Sequence, residues 1–325
     1  MRAKAGERSE PKLAIVAEAF LDRSLVDLLD WLSQAAPEVT ALELGSGGYA
    51  PHPHCDRARL LVDAATRARW QAEIGDRGFS VGALNAWGNP LHPDPVVAQA
   101  HDEALRETIR LAAELGVDRV VALAGCPAAV ATDRTPHFAA GGWLPYLEGI
   151  HEAQWSRTGA PYWHDISRFA AGVDPELRIC LELHPGTLVY NVDTFARLAE
   201  LGDNLAANID PSHFFWQQLD AVAVVQALGD RVAHVHAKDL TFNPAVLATA
   251  GLMDHRWPGP TAEVPWKFST VGDGHPSDWW AGFLAALEGK PVKVIAIEHE
   301  DPDVPPERGV PQAARLLNSC VEVAA

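Results

Sequence analysis

The sequence has 325 residues, of which 48% are hydrophobic and 21% are charged, the composition of a globular protein. The formal net charge of −17 argues against nucleic acid and an anionic membrane surface as partners, because both attract basic proteins. The longest apolar runs are too short to cross a bilayer, and residues 1–10 lack the apolar stretch of a signal peptide. Four widely spaced cysteines without CxxC pairing predict reduced thiols in a cytoplasmic protein.

Short apolar runs that predict strands alternate with longer helical patterns along the chain. The predicted strands are 13–20, 39–45, 80–87, 119–125, 178–184, 205–210, 232–238 and 293–299. Helical patterns such as 96–115 and 192–201 lie between them, and Asp193 and Thr194 are candidates for capping the second of these helices. Eight strands, each followed by a helix, predict an α/β fold: a single (β/α)8 TIM barrel over 11–325, after a flexible tail at 1–10.

Two long segments interrupt this alternation. Residues 127–161 follow the fourth predicted strand, and residues 240–276 follow the seventh. In a barrel of this kind, the loops that follow the strands build the active site. We expect both segments to cover a pocket, and the alternative is that they are peripheral decoration or an oligomer contact.

Four predicted strands carry acidic or imidazole side chains near their C-terminal ends. Because successive side chains of a strand point to opposite faces, Glu182 shares a face with His184, and Asp210, His236 and Glu298 lie opposite the aliphatic residues of their strands. The aliphatic faces should pack against helices, so the polar faces point to the barrel axis. Carboxylates buried together need a compensating cation. The sequence therefore predicts one divalent metal ion bound by Glu182, Asp210, His236 and Glu298, preferably Mn²⁺, with Mg²⁺ or Co²⁺ as alternatives.

The segments LELHPG, NIDPSH, HVHAKD and IEHED, in this order and spacing, resemble the sugar phosphate isomerase/epimerase superfamily. Its barrels are similar to xylose isomerase and endonuclease IV, and the resemblance covers roughly residues 13–320. It implies the same four metal ligands, proton exchange between the substrate and both Glu182 and Glu298, and contact between His213 and the sugar. His184, two residues beyond Glu182, is an additional inward imidazole and an alternative base.

Other polar residues near the predicted mouth have two interpretations each. Glu43 has the parity of Glu182, and we expect it either to bind a sugar hydroxyl or to form an ion pair on the second strand. Asn85 follows the third strand and is a candidate sugar contact. Lys238 either polarises a carbonyl or pairs with the adjacent acids. Arg256 either reaches the pocket from its long segment or lies exposed on the surface.

The predicted chemistry is proton abstraction next to a carbonyl of a sugar or keto-sugar, through a metal-bound enediolate. Return of the proton gives an isomerase or epimerase, whereas loss of a β-substituent gives a lyase that cleaves 3-keto-glycosides. The lyase alternative rests on resemblance to C-glycoside deglycosidases, which have extended loops and work with a small second subunit. In that case residues 240–276, with Arg256, Trp257 and Trp266, would hold an aglycone or a second sugar.

Two further classes are less well supported by the sequence. An endonuclease IV-like hydrolase would need three zinc ions and a DNA-facing surface, and the negative charge opposes it. A non-catalytic sugar-binding barrel would not need four converging metal ligands. We therefore expect a small-molecule sugar or keto-glycoside as substrate, no nucleic-acid or membrane partner, and assembly as a homo-oligomer or with a small second subunit.

Overall fold

Eight parallel strands form a closed barrel in the computed structural model, which describes residues 10–140 and 145–324. The barrel strands are β1 Lys12–Val16, β2 Val39–Gly45, β3 Ser80–Asn85, β4 Arg119–Leu123, β5 Arg178–Glu182, β6 Leu205–Ile209, β7 Val232–Ala237 and, after two shorter strands outside the barrel, β10 Val294–Ile297. They pair in chain order, and β10 closes the barrel by pairing with both β7 and β1. The predicted TIM barrel is therefore confirmed. The predicted tail at 1–10 lies outside the described residues except for Glu10.

Helices connect the strands around the outside of the barrel. They are α1 Leu25–Ala35, α2 Arg57–Val62, α3 Ala64–Gly75, α4 Pro95–Leu115, α5 Ile150–Gln154, α6 Ala160–Val173, α7 Val192–Ala199, α8 Ser212–Phe215, α9 Ala221–Leu228, α10 Pro244–Ala250, α11 Ser277–Ala286 and α12 Pro306–Ala324. Short 3-10 turns lie at Ala17–Phe20, Pro145–Leu147 and Gly229–Arg231, and a π-helical turn lies at Trp155–Gly159. Within the described ranges, no helix has both the length and the hydropathy needed to cross a membrane.

Local chemistry explains where several of these elements begin and end. The Asp94 side chain accepts a hydrogen bond from the Val96 N–H at the start of α4, and Gly116 ends this helix in the left-handed conformation, with φ of 69°. Asn191 caps the N-terminus of α7, and its side chain forms a reciprocal capping box with Thr194. The prediction that Asp193 caps this helix was therefore wrong, because Asp193 already lies in the first turn.

The first predicted strand, 13–20, is shorter than expected. Strand β1 ends at Val16, and the apolar run continues as a 3-10 turn that buries Phe20 against Trp31. An apolar run of this length is buried equally well by a strand followed by a turn, so the pattern alone does not locate the boundary. The turn places the Glu18 side chain beside a small cavity that Glu298 and Glu300 also line.

The alternation of the strands separates two apolar layers. Outward side chains such as Leu181 and Ile209 join the large core between strands and helices. Inside the barrel the apolar residues are small, as shown by the cluster of Ala83, Val121, Cys180, Ala206 and Ala233. The polar residues predicted to face the axis lie above this small-residue layer, at the C-terminal ends of the strands.

The two long segments contain regular elements of their own. Residues 240–276 include α10, and an antiparallel pair of strands, β8 Asp239–Phe242 and β9 Trp266–Ser269, holds the segment at its base. In residues 127–161 the described part includes the turn Pro145–Leu147, helix α5 and the π-helical turn. Both segments supply side chains to one large cavity above the barrel, as predicted from their positions after the fourth and seventh strands.

Candidate metal centre and substrate cavity

The four predicted ligands meet at the C-terminal ends of four neighbouring strands. Glu182 is the last residue of β5, Asp210 and Glu298 directly follow β6 and β10, and His236 lies in β7. All four are buried, with at most 4% of their surface exposed. One nitrogen or oxygen atom from each lies within 4.8 Å of the others. The convergence of these four side chains is therefore as the parity argument predicted, and their role as metal ligands stays a prediction.

The atoms at this point are those expected around a cation. Oε2 of Glu182 is buried and accepts no hydrogen bond from the described residues. Burial raises the pKa of Glu182 above its ordinary value, because the carboxylate is poorly compensated. A set of three carboxylates and one imidazole offers the oxygen and nitrogen donors that Mn²⁺, Mg²⁺ and Co²⁺ accept. These residues therefore fit a divalent metal ion.

A buried carboxylate holds His236 in position. Nε2 of His236 lies 3.1 Å from both carboxylate oxygens of Glu43, and Nδ1 lies 3.0 Å from Oε2 of Glu298. Burial opposes a charge on His236, but Glu43 and Glu298 outweigh it and raise the pKa of the imidazole, so a proton and a metal ion compete for Nδ1. An imidazole that donates its second N–H to a carboxylate is the usual arrangement of a metal-ligating histidine.

Glu43 has further hydrogen-bond partners that hold its side chain beneath the cavity. Its Oε1 accepts a hydrogen bond from Nδ2 of Asn85 at 2.7 Å, and its Oε2 lies 2.6 Å from Nε2 of His234. Burial raises the pKa of Glu43, but the charges of His236 and His234 outweigh it and leave the pKa lowered. Glu43 and Asn85 are 0% exposed and do not line the cavity. The predicted sugar contacts of both residues are therefore corrected: Glu43 and Asn85 lie beneath the cavity, and the contacts of Glu43 agree with its ion-pair interpretation.

Two histidines lie beside the four-residue set and face the cavity. Nδ1 of His184 donates a hydrogen bond to the carbonyl of Pro185, which leaves Nε2 available as an acceptor or base. The ring of His213 lies 4.1 Å from that of His184, and its Nε2 lies 3.0 Å from Oε1 of Glu182. Burial lowers the pKa of each imidazole to about 4. Glu182, His184 and His213 form a further group within ligand distance, which shares Glu182 with the main set.

Lys238 provides the cationic group of this region. Its Nζ lies 3.0 Å from Oδ2 of Asp210, 3.0 Å from Oε1 of Glu298 and 3.3 Å from Oε2 of Glu300. Burial opposes the charge, but the three carboxylates outweigh it and raise the pKa of the ammonium group. These contacts agree with the prediction that Lys238 pairs with the adjacent acids. The side chain also lines the cavity, where its ammonium group lies 4.5 Å from the centre of the Phe268 ring.

The structure does not bring Arg256 to the other predicted site residues. Its guanidinium pairs with Asp254 two residues earlier and is exposed. Asp254 lines the cavity, whereas Arg256 does not. The surface interpretation of Arg256 therefore agrees with its position, because the local ion pair holds the side chain outside the cavity.

A cavity of about 830 Å³ lies above the candidate metal centre and has two chemically different parts. We call the charged part the polar floor, which consists of Glu182, His184, His213, Lys238, Glu298 and Glu300. We call the other part the aromatic wall, which consists of Phe138, Tyr190, Trp216, Trp257, Trp266 and Phe268. The floor comes from strand ends and the residues that follow them, and the wall comes mainly from the segments between strands.

Sequence reasoning assigned no role to two acidic residues, Glu300 in the floor and Glu18 near it. Glu300 has the same parity as Glu298, and this pattern would have identified it. Glu18 lies with Glu298 and Glu300 around a smaller cavity of about 170 Å³. Burial, followed by the charges of Glu298 and Glu43, raises the pKa of Glu18 to about 8. Glu18 has the parity of the inward residue Val16 in the predicted strand, so this alternation would have identified it as well.

Comparison with known proteins agrees with this architecture. A family model described as a xylose isomerase-like TIM barrel matches residues 40–320. The chain is 29% identical over 320 residues to the uncharacterized protein YfiH of Bacillus subtilis (strain 168), which covers 95% of this chain and 99% of YfiH.

Solved structures share the fold at low sequence identity. The probable 3-DHS dehydratase AsbF, involved in petrobactin synthesis in Bacillus anthracis, has a TM-score of 0.63 and 15% identity, over 94% of this chain and 98% of that one. An L-ribulose 3-epimerase has a TM-score of 0.61 and 14% identity, over 97% of this chain and 96% of that one. The family model spans well over half of the chain. The chain therefore belongs to the xylose isomerase-like TIM-barrel family.

Proposed function

We propose that the chain is a divalent-metal-dependent isomerase or epimerase that removes a proton next to a carbonyl of a sugar or keto-sugar. The observation that carries this proposal is the convergence of Glu182, Asp210, His236 and Glu298 beneath an open cavity. Glu182 and Glu298 line the cavity, whereas Asp210 and His236 lie behind them. A metal held by all four would therefore face the substrate on one side only.

A divalent ion at this site would supply positive charge that stabilises the negative charge on two substrate oxygens as the proton leaves. The residues around it provide the other functions. Glu43 orients His236, and the ammonium group of Lys238 can donate a hydrogen bond to a substrate oxygen from the floor. His213 is the proposed sugar contact, because its ring lines the cavity beside Glu182.

Proton transfer has two candidate groups, the Glu182–Glu298 pair and His184. The hydrogen bond from Nδ1 of His184 to Pro185 leaves Nε2 without a proton, as a general base requires. If Glu182 and Glu298 hold the metal, His184 and Glu300 are the floor residues left as candidate bases, because His213 already contacts Glu182 and Asp210. Glu300 is paired with the ammonium group of Lys238, whereas Nε2 of His184 is not paired with a cation. This difference favours the imidazole as the base.

A lyase is the second candidate, because loss of a β-substituent can follow the same proton abstraction. The cavity volume of about 830 Å³ favours a substrate larger than one free sugar. The two structural neighbours described above are named as a probable dehydratase and an epimerase, so the fold accompanies both kinds of outcome. Removal of a 3-keto-glycoside aglycone is the corresponding reaction that we propose for this chain.

Several further parts of the proposal come from composition and ligand chemistry. Mn²⁺ is the proposed ion, with Mg²⁺ or Co²⁺ as alternatives. The net charge of −17 favours a neutral small-molecule substrate over nucleic acid. Four buried free cysteines agree with a cytoplasmic location. We also propose assembly as a homo-oligomer or with a small second subunit.

The proposed function can be tested by ¹H NMR in D₂O with metal-loaded protein, a panel of free ketoses and 3-keto-glycosides. Deuterium incorporation next to the carbonyl, together with epimer or isomer formation, is the result expected for the first candidate. Release of the aglycone identifies the lyase. Full activity after complete removal of the metal by a chelator would contradict both.

A further inference from the structure

The outer part of the cavity is larger than a metal-bound sugar requires. Pockets for drug-sized ligands span roughly 300–1,000 Å³, and this cavity, at about 830 Å³, lies in the upper part of that range. A single six-carbon sugar placed on the polar floor leaves most of this volume unfilled. The remaining volume is bounded by the aromatic wall and by Leu252 and Met253.

The chemistry of this outer part differs from that of a sugar subsite. Among the described residues that line the cavity outside the floor, and apart from the indole groups, only Tyr190, Gln217 and Asp254 have polar side chains. The carboxylate of Asp254 is already paired with Arg256. A second sugar ring carries several hydroxyl groups that need partners when they are buried. A planar apolar group needs none, so the lining favours it.

The aromatic wall is held in place before any ligand binds. The Trp257 and Trp266 rings stack with centroids 4.3 Å apart and 25° between their planes, and the Trp216 ring also stacks with Trp266, with centroids 5.6 Å apart. Nε1 of Trp266 donates a hydrogen bond to the Leu252 carbonyl at 3.2 Å. The β8–β9 pair fixes Trp266 opposite Phe242. Side chains that are already ordered lose little conformational entropy when a ligand stacks on them.

The rim of the cavity exposes two large apolar side chains. Met253 is 91% exposed and Phe138 is 40% exposed, and both line the cavity. They come from the two long segments, after β7 and β4 respectively. Exposed apolar groups at the mouth of a cavity are typical of a binding surface, and a methionine side chain adapts readily to ligands of different shape.

From these observations we propose that the aromatic wall, together with Leu252 and Met253, forms an outer subsite for a planar aromatic group attached to the sugar. The substrate class is then an aryl glycoside or a related sugar conjugate with an aromatic substituent, rather than a free monosaccharide or a disaccharide. This inference rests on the proposed function, because it takes the polar floor as the sugar site.

Equilibrium binding separates the inference from the proposed reaction, because it needs no turnover. The probes are phenyl β-D-glucopyranoside, methyl β-D-glucopyranoside and cellobiose, titrated into the metal-loaded full chain by isothermal calorimetry. We expect phenyl glucoside to bind at least about tenfold more tightly than methyl glucoside, since stacking adds to the buried apolar area. Cellobiose is expected to bind no better than methyl glucoside, because the wall offers few hydrogen-bond partners.

Two variants locate the effect in the outer subsite. Trp257→Ala should remove most of the preference for phenyl over methyl glucoside, and Met253→Ala should reduce it by about twofold without any effect on folding, because its side chain is exposed. Tyr49→Ala is the matched control, since Tyr49 is 57% exposed and does not line the cavity. Metal content, measured in parallel, should stay the same in all three variants.

Equal binding of the two glucosides, or no phenyl-dependent binding at all, would overturn the inference, as would tighter binding of cellobiose. Retention of the phenyl preference in both Trp257→Ala and Met253→Ala would also overturn it. A protein that exchanges deuterium into free ketoses but shows no phenyl preference keeps the proposed function and loses this inference. A phenyl preference in a protein that binds no metal keeps this inference and contradicts the proposed function.

Discussion

The polar floor of the cavity is built from the ends of adjacent barrel strands, whereas the aromatic wall comes largely from two long segments that lie outside the strand–helix alternation. The floor brings carboxylates and imidazoles to within 4.8 Å of one another. The wall places three stacked indoles over the same cavity. Under the proposed function, the floor would determine the reaction and the wall would determine which molecules reach it. Substitutions in the two parts should therefore have separable effects.

The largest effect is expected from the predicted metal ligands, of which Asp210 lies directly beneath the floor. Asp210→Ala removes a ligand and leaves the remaining carboxylates without a full set of donors, so the purified variant should contain no stoichiometric metal. Turnover should fall by roughly 10³-fold or more, because the electrostatic stabilisation is lost. Elemental analysis and NMR turnover assays measure both, and circular dichroism confirms the fold. A metal-free Asp210→Ala variant with wild-type turnover would show that the floor does not act through a metal.

His184→Ala should separate proton transfer from metal binding within the same floor. His184 is not one of the four ligands, so the variant should keep its metal while turnover falls by about 10²–10⁴-fold. The measurement is deuterium exchange into the substrate at known metal occupancy. Full turnover in this variant would assign proton transfer to the Glu182–Glu298 pair instead.

Glu43→Gln tests the residues beneath the floor. The amide cannot accept the hydrogen bonds of both His236 and His234 as a carboxylate does, so His236 should be less well oriented. Loss of such a partner typically lowers metal affinity by about 10–100-fold. Competition with a metal-binding dye gives the dissociation constant directly. Unchanged metal affinity together with a lower Tm would mean that Glu43 only stabilises the fold.

The smallest effect on the chemistry is expected from the wall. Replacing residues 245–262 by a short glycine–serine linker should keep the β8–β9 pair and the polar floor, because both lie outside the replaced range. Turnover of free ketoses should change by less than about threefold, whereas aryl keto-glycosides should lose about tenfold or more. Equal losses on both substrate types would identify the segment as a general lid instead.

The floor was predictable from the sequence because successive side chains of a strand point to opposite faces. The alternation around Glu182 and Glu298 fixes which side chains face the barrel axis, and the barrel closure then brings neighbouring strand ends together. The same reasoning missed the depth of Glu43 below the cavity. Parity placed it inward, but whether it reaches the cavity or the layer beneath depends on its distance from the strand end and on His234 and His236 opposite.

The wall was predictable only in its location. The positions of residues 127–161 and 240–276 after the fourth and seventh strands indicated that they lie at the mouth. The stacking of Trp257 on Trp266 and the approach of Trp216 depend on contacts between separate segments, which no local pattern encodes. Arg256 shows the same limit, because its pairing with Asp254 draws it away from the cavity that the loop itself covers.

We propose above all that the four converging ligands, at and directly beneath the floor, hold one divalent ion for proton abstraction. Titration of Mn²⁺ into chelator-treated protein, followed by electron paramagnetic resonance and by deuterium exchange into the substrate in the same samples, tests it most directly. The account predicts one tightly bound ion per chain and an exchange rate that rises in proportion to the occupied fraction. Exchange at the full rate in the metal-free protein, or binding without any gain in exchange, would contradict it.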